Sequence, residues 1–184
     1  EAKAGETVSF DTRITGTEPV SVLEVSSIPP LNLEQRLSYL LDYPHGCAEQ
    51  ITSQAFPQLA LSWLLALSPE QQITAENNVR EVINRLRSYQ TPEGGFAYWP
   101  GEPYISEWAT SYAVNFLANA QKQGYAVPIQ MLQNATNYMR QVANSWNRTE
   151  PWSQQDQAYR LYVLALAGKP DLAAMNRLKE TRLQ

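Results

Sequence analysis

Cysteine and histidine are nearly missing from this chain, with one of each in 184 residues. A single thiol excludes an internal disulfide framework, and one Cys with one His cannot complete a Cys/His zinc site. Positive charge is also scarce. Lys and Arg number 14 against 18 Asp and Glu, for a formal charge of -4 and a pI near 5.1. That balance lacks the basic footprint of a nucleic-acid binder. No stretch approaches the roughly 18 consecutive apolar residues of a membrane span. The chain opens at Glu1 with no apolar signal core, and the expectation is a piece of a longer protein. What is present is core material. Hydrophobic residues make up 43% and aromatics 10%, which excludes global disorder.

Pro29-Pro30 divides the chain. Before it, Thr7, Ser9, Asp11 and Arg13 alternate with Val8, Phe10, Thr12 and Ile14, a period of two. Turn residues from Gly16 to Pro19 lead to Val20, Val22, Leu23 and Val25. Two strands alone are marginal in water, so residues 1–30 are expected to be a β hairpin of a flanking β-sandwich domain. Residues 31–184 read as helix. Asn32 and Gln35 suit a capping box before Leu33, Leu37, Leu40 and Leu41. A second helix begins near Cys47 and runs through Ile51, Phe56, Leu59, Trp63 and Leu67, with a kink or split expected at Pro57. Ser68-Pro69 caps and opens a third, with Ile73, Val79, Val82, Ile83 and Leu86 on its apolar face. A loop from Thr91 to about Ser106 follows. A fourth helix covers roughly Glu107 to Lys122. A fifth opens at Pro128, with Ile129, Leu132, Ala135, Tyr138, Met139 and Val142 inward. Ser153 is expected to cap a sixth ending at Gly168, and Pro170 to open a seventh. The predicted class is mainly α, with helical hairpins in series forming an α/α bundle, solenoid or toroid.

Cys47-Ala48-Glu49-Gln50 carries the chemistry. Residues three apart share one side of a helical turn, and a thiolate at a helix N-terminus is favoured by the dipole. The sulfur of Cys47 can then reach the side-chain carbonyl carbon of Gln50. Attack with loss of ammonia yields an internal thioester, a stored acylating agent. Gly46 relieves crowding where the ring forms.

The run Pro44-His45-Gly46-Cys47-Ala48-Glu49-Gln50 resembles the thioester motif of the alpha-2-macroglobulin and complement superfamily, and the likeness extends over residues 30–184. Gly94-Gly95-Phe96-Ala97-Tyr98-Trp99-Pro100-Gly101 and Trp108-Ala109-Thr110-Ser111-Tyr112 are similar to segments of bacterial members. The resemblance implies an α/α toroid, here incomplete at about seven helices. It implies a thioester between Cys47 and Gln50, with Pro44, Gly46 and Glu49 as motif support, and no cofactor or metal. The implied function is a broad-spectrum protease inhibitor, a single-turnover covalent trap and not a turnover enzyme. Its implied partners are target proteases, captured through amines, and other domains of the same parent chain. No nucleic acid and no direct membrane contact are implied. The implied setting is extracytoplasmic, in the periplasm or anchored at the envelope. No His follows Cys47, which by analogy favours direct transfer to amines.

Other readings stand beside this one. A thioester-based adhesin or opsonin-like module would label surfaces without bait cleavage. An α/α-toroid enzyme would need a carboxylate pair, for which Glu93, Glu102, Glu107 and Asp156 are the candidates. Tyr98, Trp99, Tyr104 and Trp108 suit either a hydrophobic cover over the thioester or ordinary packing in a long loop. A His45–Cys47 dyad is not expected, because residues two apart do not face each other on a helix.

Overall fold

The computed structural model describes residues 41–42, 45–147 and 153–181, with 7 and 9. The expected hairpin over 1–30, the helix opened by Asn32, and Pro44 lie outside the described residues. All but residues 7 and 9 belong to one compact unit, Leu33–Gln184.

The described part of that unit is helical. Its helices are α1 (Ala48–Ala55), α2 (Leu61–Leu64), α3 (Pro69–Leu86), α4 (Glu107–Lys122), α5 (Ile129–Ser145), α6 (Ser153–Leu166) and α7 (Leu172–Lys179). Capping chemistry sets several of the starts. Ser68 and Gln71 form a capping box at α3, with the Ser68 N–H donating to Gln71 Oε1 at 2.8 Å and the Gln71 N–H to Ser68 Oγ at 3.3 Å. Ser106 Oγ accepts from Ala109 N–H, and Asp171 Oδ1 from Ala174 N–H. α6 is described from Ser153 onward, so the cap expected at Ser153 is itself a helical position.

The split expected at Pro57 is present. The Phe56 N–H makes the last α-type bond, to Thr52 O at 2.9 Å. Pro57 has no N–H to continue the ladder, and a 3-10 turn, Pro57–Leu59, leads into the single turn of α2. Ile73 and Ile129, placed inward by the sequence pattern, are exposed instead, at 58% and 68%, and Trp63 is 75% exposed. Trp63 belongs to the short α2. The buried stripe of α3 is Ala75, Asn78, Val79, Val82, Ile83 and Leu86, spaced three and four apart, and Ile73 falls off that series. Ile129 is the first residue of α5 and precedes its stripe of Met131, Ala135, Met139 and Ala143.

Helix α4 is central. It packs against α1, α5 and α6, and its Ala113, Val114, Phe116, Leu117 and Ala120 are fully buried. Arg160 of α6 is buried too. Its guanidinium pairs with Glu107 of α4 and donates to Gln157 Oε1, while Gln157 Nε2 donates to Ala143 O of α5. One polar chain, buried from Arg160 inward and open to solvent at Glu107, thus ties three helices together.

The loop from Thr91 to Ser106 is short of regular structure but firmly seated. Isolated antiparallel bridges join Gln90 to Phe96 and Ala97 to Ile105. Gln90 Nε2 donates to Gly94 O at 2.8 Å and Met131 O at 2.9 Å. Phe96 is fully buried, and its N–H donates to Thr110 Oγ1. The Gly-Gly pair has a steric cause. A Cβ at Gly94 would lie 2.6 Å from the carbonyl oxygen of Asn134 in α5, and one at Gly95 would strike Ile105 and Tyr138.

Candidate functional site

Cys47 is the N-cap of α1, with φ -70° and ψ 171°, and is partly buried. A helix start leaves its first N–H groups without partners inside the helix. Here they are met in three ways. The Cys47 N–H donates to Gln50 Oε1 at 3.0 Å, and the Gln50 N–H faces the Cys47 side chain, completing a reciprocal box. The Ala48 N–H leaves the local segment and donates to Tyr98 O at 2.9 Å. The Gln50 carboxamide is therefore folded back over the first turn onto the backbone N–H of the cysteine that precedes it by three residues.

Gly46 makes room for that fold-back. Its φ is +112°, a region that side-chain-bearing residues rarely adopt. A Cβ there would lie 2.9 Å from Gln50 Cδ and overlap Gln50 Oε1. Any larger residue would occupy the space of the carboxamide. Glu49 lies in the first turn of α1, where a carboxylate suits the positive end of the dipole. The His45 N–H donates to Gln54 Oε1 at 2.8 Å, which holds the approach to Gly46 against the following turn of α1.

Two contacts from the distant segment were not visible in the sequence pattern. Tyr89, only 3% exposed, donates its hydroxyl to Gly46 O at 2.8 Å. The Ala97 N–H bonds to Tyr89 O, so the strand-like start of the loop, Tyr89 and the Gly46–Ala48 segment form one connected set. The signal available in the sequence was the Tyr89-Gln90 pair at the end of a helix before Gly-Gly-Phe, which marks a junction without naming its partner.

The four aromatic candidates separate. Tyr98 reaches the motif through its backbone carbonyl, while its ring and that of Trp99 are exposed. Tyr104 is 82% exposed. Trp108 belongs to another cluster, with ring centroids 5.9 Å from Tyr112 and 5.3 Å from Tyr159. Tyr112 is 5.7 Å from Phe56, and its hydroxyl meets Ser53 Oγ of α1. The carboxylates are dispersed in role. Glu107 is committed to Arg160, and Glu93, Glu102 and Asp156 are exposed. Among the described residues no group of three or more His, Cys, Asp and Glu could hold a metal ion.

A family profile of the A-macroglobulin TED domain matches residues 21–180. The chain is 30% identical over 172 residues to alpha-2-macroglobulin of Escherichia coli K12, covering 87% of this chain and 10% of that protein. It is 29% identical to alpha-2-macroglobulin of Xylella fastidiosa, covering 93% of this chain and 11% of that one. Among solved structures, Salmonella alpha-2-macroglobulin reacted with methylamine superposes with a TM-score of 0.70 at 30% identity, over 83% of this chain and 11% of that one. The native conformation of the E. coli protein gives 0.70 at 29% identity, over 84% and 10%. The chain thus spans about a tenth of the length of these relatives. On the profile match, the sequence identity and the shared α/α architecture, it belongs to the A-macroglobulin TED domain family.

Proposed function

We propose that this chain carries an internal thioester between Cys47 and Gln50 and serves as the covalent element of a bacterial protease trap. The observation that carries the reading is the box at the start of α1, in which the Gln50 carboxamide folds back to the N–H of Cys47 with Gly46 leaving the space free. Forming the bond needs no cofactor. The Cys47 thiol gives up its proton, and the sulfur attacks Gln50 Cδ. The C–N bond breaks and Nε2 departs with that proton as ammonia. A primary amine later attacks the same carbon, an amide forms, and the Cys47 thiol is regenerated. Each molecule reacts once, so the activity is capture and not turnover.

Relatives support the assignment of partners. The Salmonella protein has been crystallised after reaction with methylamine, and the E. coli protein has been solved activated by trypsin and by porcine elastase. By that analogy the acceptor is a protease amine, presented after cleavage elsewhere in a longer parent chain in an extracytoplasmic compartment.

The test is the intact mass of the undenatured chain before and after methylamine, with thiol titration. A chain lighter by one ammonia, silent to thiol reagents until methylamine adds at Gln50, is expected. Cys47→Ser should keep the full mass and capture nothing. A wild-type chain of full unmodified mass with a titratable thiol would overturn the proposal.

A further inference from the structure

The Tyr89 hydroxyl and the Cys47 N–H meet at one peptide unit. Tyr89 donates to the carbonyl of the Gly46–Cys47 peptide at 2.8 Å, and the N–H of that same peptide donates to Gln50 Oε1 at 3.0 Å. We infer that Tyr89 is a positioning residue for the Cys47–Gln50 reaction, acting through the Gly46–Cys47 peptide. The inference rests on the thioester reading above and goes further, into what sets the reactivity of the bond.

Three physical effects combine. The first is orientation. A peptide is planar, so fixing its carbonyl fixes the direction of its N–H. Gly46, at φ +112°, has the conformational freedom that would otherwise let this plane rotate. Tyr89 is held in turn by its burial and by the Ala97 N–H on its own carbonyl. The second is polarisation. A donor on a peptide carbonyl strengthens the hydrogen bond made by the N–H of the same unit. The third is placement. Nucleophilic attack at Gln50 Cδ moves negative charge onto Oε1, and the Cys47 N–H already lies at the distance of an oxyanion-hole donor. The same donor serves ring formation, when ammonia leaves, and ring opening, when the thiol leaves.

The experiment uses the whole chain, with methylamine as the nucleophile. Wild type is first shown by mass to contain the bond. A wild type without it refutes the thioester reading itself, and the Tyr89 inference with it. Given the bond, Tyr89→Phe keeps the buried ring and removes the hydroxyl. Its expected rate of opening is about tenfold below wild type, less than the hundredfold or more lost with a whole oxyanion donor. The infrared carbonyl band of the thioester, located by carbon-13 labelling of glutamine, should move to higher wavenumber as its hydrogen bond weakens. Site-specific 3-fluorotyrosine at position 89, a stronger donor of nearly the same shape, should move rate and band the opposite way. An unchanged rate in Tyr89→Phe overturns the inference. So does slower opening with an unmoved band, which would assign Tyr89 to packing alone. Should Tyr89→Phe fail to fold, the fluorotyrosine variant decides by the same two readouts.

Discussion

Gly46→Ala tests the steric basis of the site. The backbone at position 46 has φ +112°, and holding an L-residue in such a region costs about 1–3 kcal/mol. The new Cβ would also sit 2.9 Å from Gln50 Cδ, so the carboxamide must swing away and release the Cys47 N–H. Losing that hydrogen bond adds about 0.5–1.5 kcal/mol. Together the domain should lose roughly 2–4 kcal/mol, a fall in Tm of about 5–15 °C for a chain of this size. Gly101→Ala is the matched control. Its φ is +78°, also positive, but nothing lies within 4 Å of its added Cβ, so it bears the backbone strain alone. Scanning calorimetry of the three proteins, with intact mass on the same samples, separates the two causes. Gly46→Ala should melt below Gly101→Ala, and on the proposed thioester reading it should keep the ammonia that wild type is expected to lose. Equal melting of the two variants, with the ammonia still lost from Gly46→Ala, would refute the steric argument.

Further outcomes follow from other contacts. Gln90→Ala removes both bonds that tether the Gly-Gly-Phe loop, to Gly94 O and Met131 O, and should cost about 1–3 kcal/mol in chemical unfolding. Hydrogen exchange of residues 94–98 should quicken with it, and unchanged protection there would discount the tether. Arg160→Ala takes the guanidinium out of the chain linking α4, α5 and α6. Glu107, half exposed, regains water, so a loss of about 1–3 kcal/mol is expected, chiefly from the buried Gln157 Oε1 left without its donor. A loss below about 1 kcal/mol would mean that the network is replaceable by packing. Asp171 is held below its ordinary carboxylate value, first by the Ala174 N–H and then by Asn144. A depressed native pKa contributes stability above the unfolded value of 3.8, and the contribution is lost as pH falls through the native value. Asp171→Asn should therefore lose less stability than wild type between neutral pH and the acid limb, and parallel acid limbs would refute the assignment.

Much of the helical framework was legible because local chemistry writes it. Ser68-Pro69 reads as a cap and a helix start and is one, whereas Ser106 caps a helix whose start alone was readable at Glu107, and Asp171 caps the last helix where the sequence had Pro170 open it. Gly124 and Gly168 follow helix ends with positive φ, and Pro57 breaks the ladder where its missing N–H requires it. The Cys47–Gln50 spacing was readable for the same reason, since residues three apart meet at any helix start. What escaped was pairing between elements. Nothing in the periodicity around Tyr89 says that its hydroxyl meets Gly46, and nothing in Tyr98 says that its carbonyl meets Ala48. Those contacts depend on how α1, α3 and the following loop stack, which is a tertiary property. The exposure of Trp63, Ile73 and Ile129 has a related origin, because apolar character alone does not say which side of a short or terminal turn meets a neighbour.

The contacts from Tyr89 to Gly46 and from Tyr98 to Ala48 bear on the order of folding. Each joins residues more than 40 positions apart, whereas the Cys47–Gln50 box closes within a single turn. Short-range closure is fast, and loop entropy must be overcome before distant partners meet. An isolated α1 of eight residues is too short to persist in water. The box therefore becomes durable only when the Gly-Gly-Phe loop has docked and α4 has closed beneath it. A nascent chain carries its thiol and carboxamide as ordinary neighbours, and they acquire a fixed mutual geometry late, after the surrounding helices have formed.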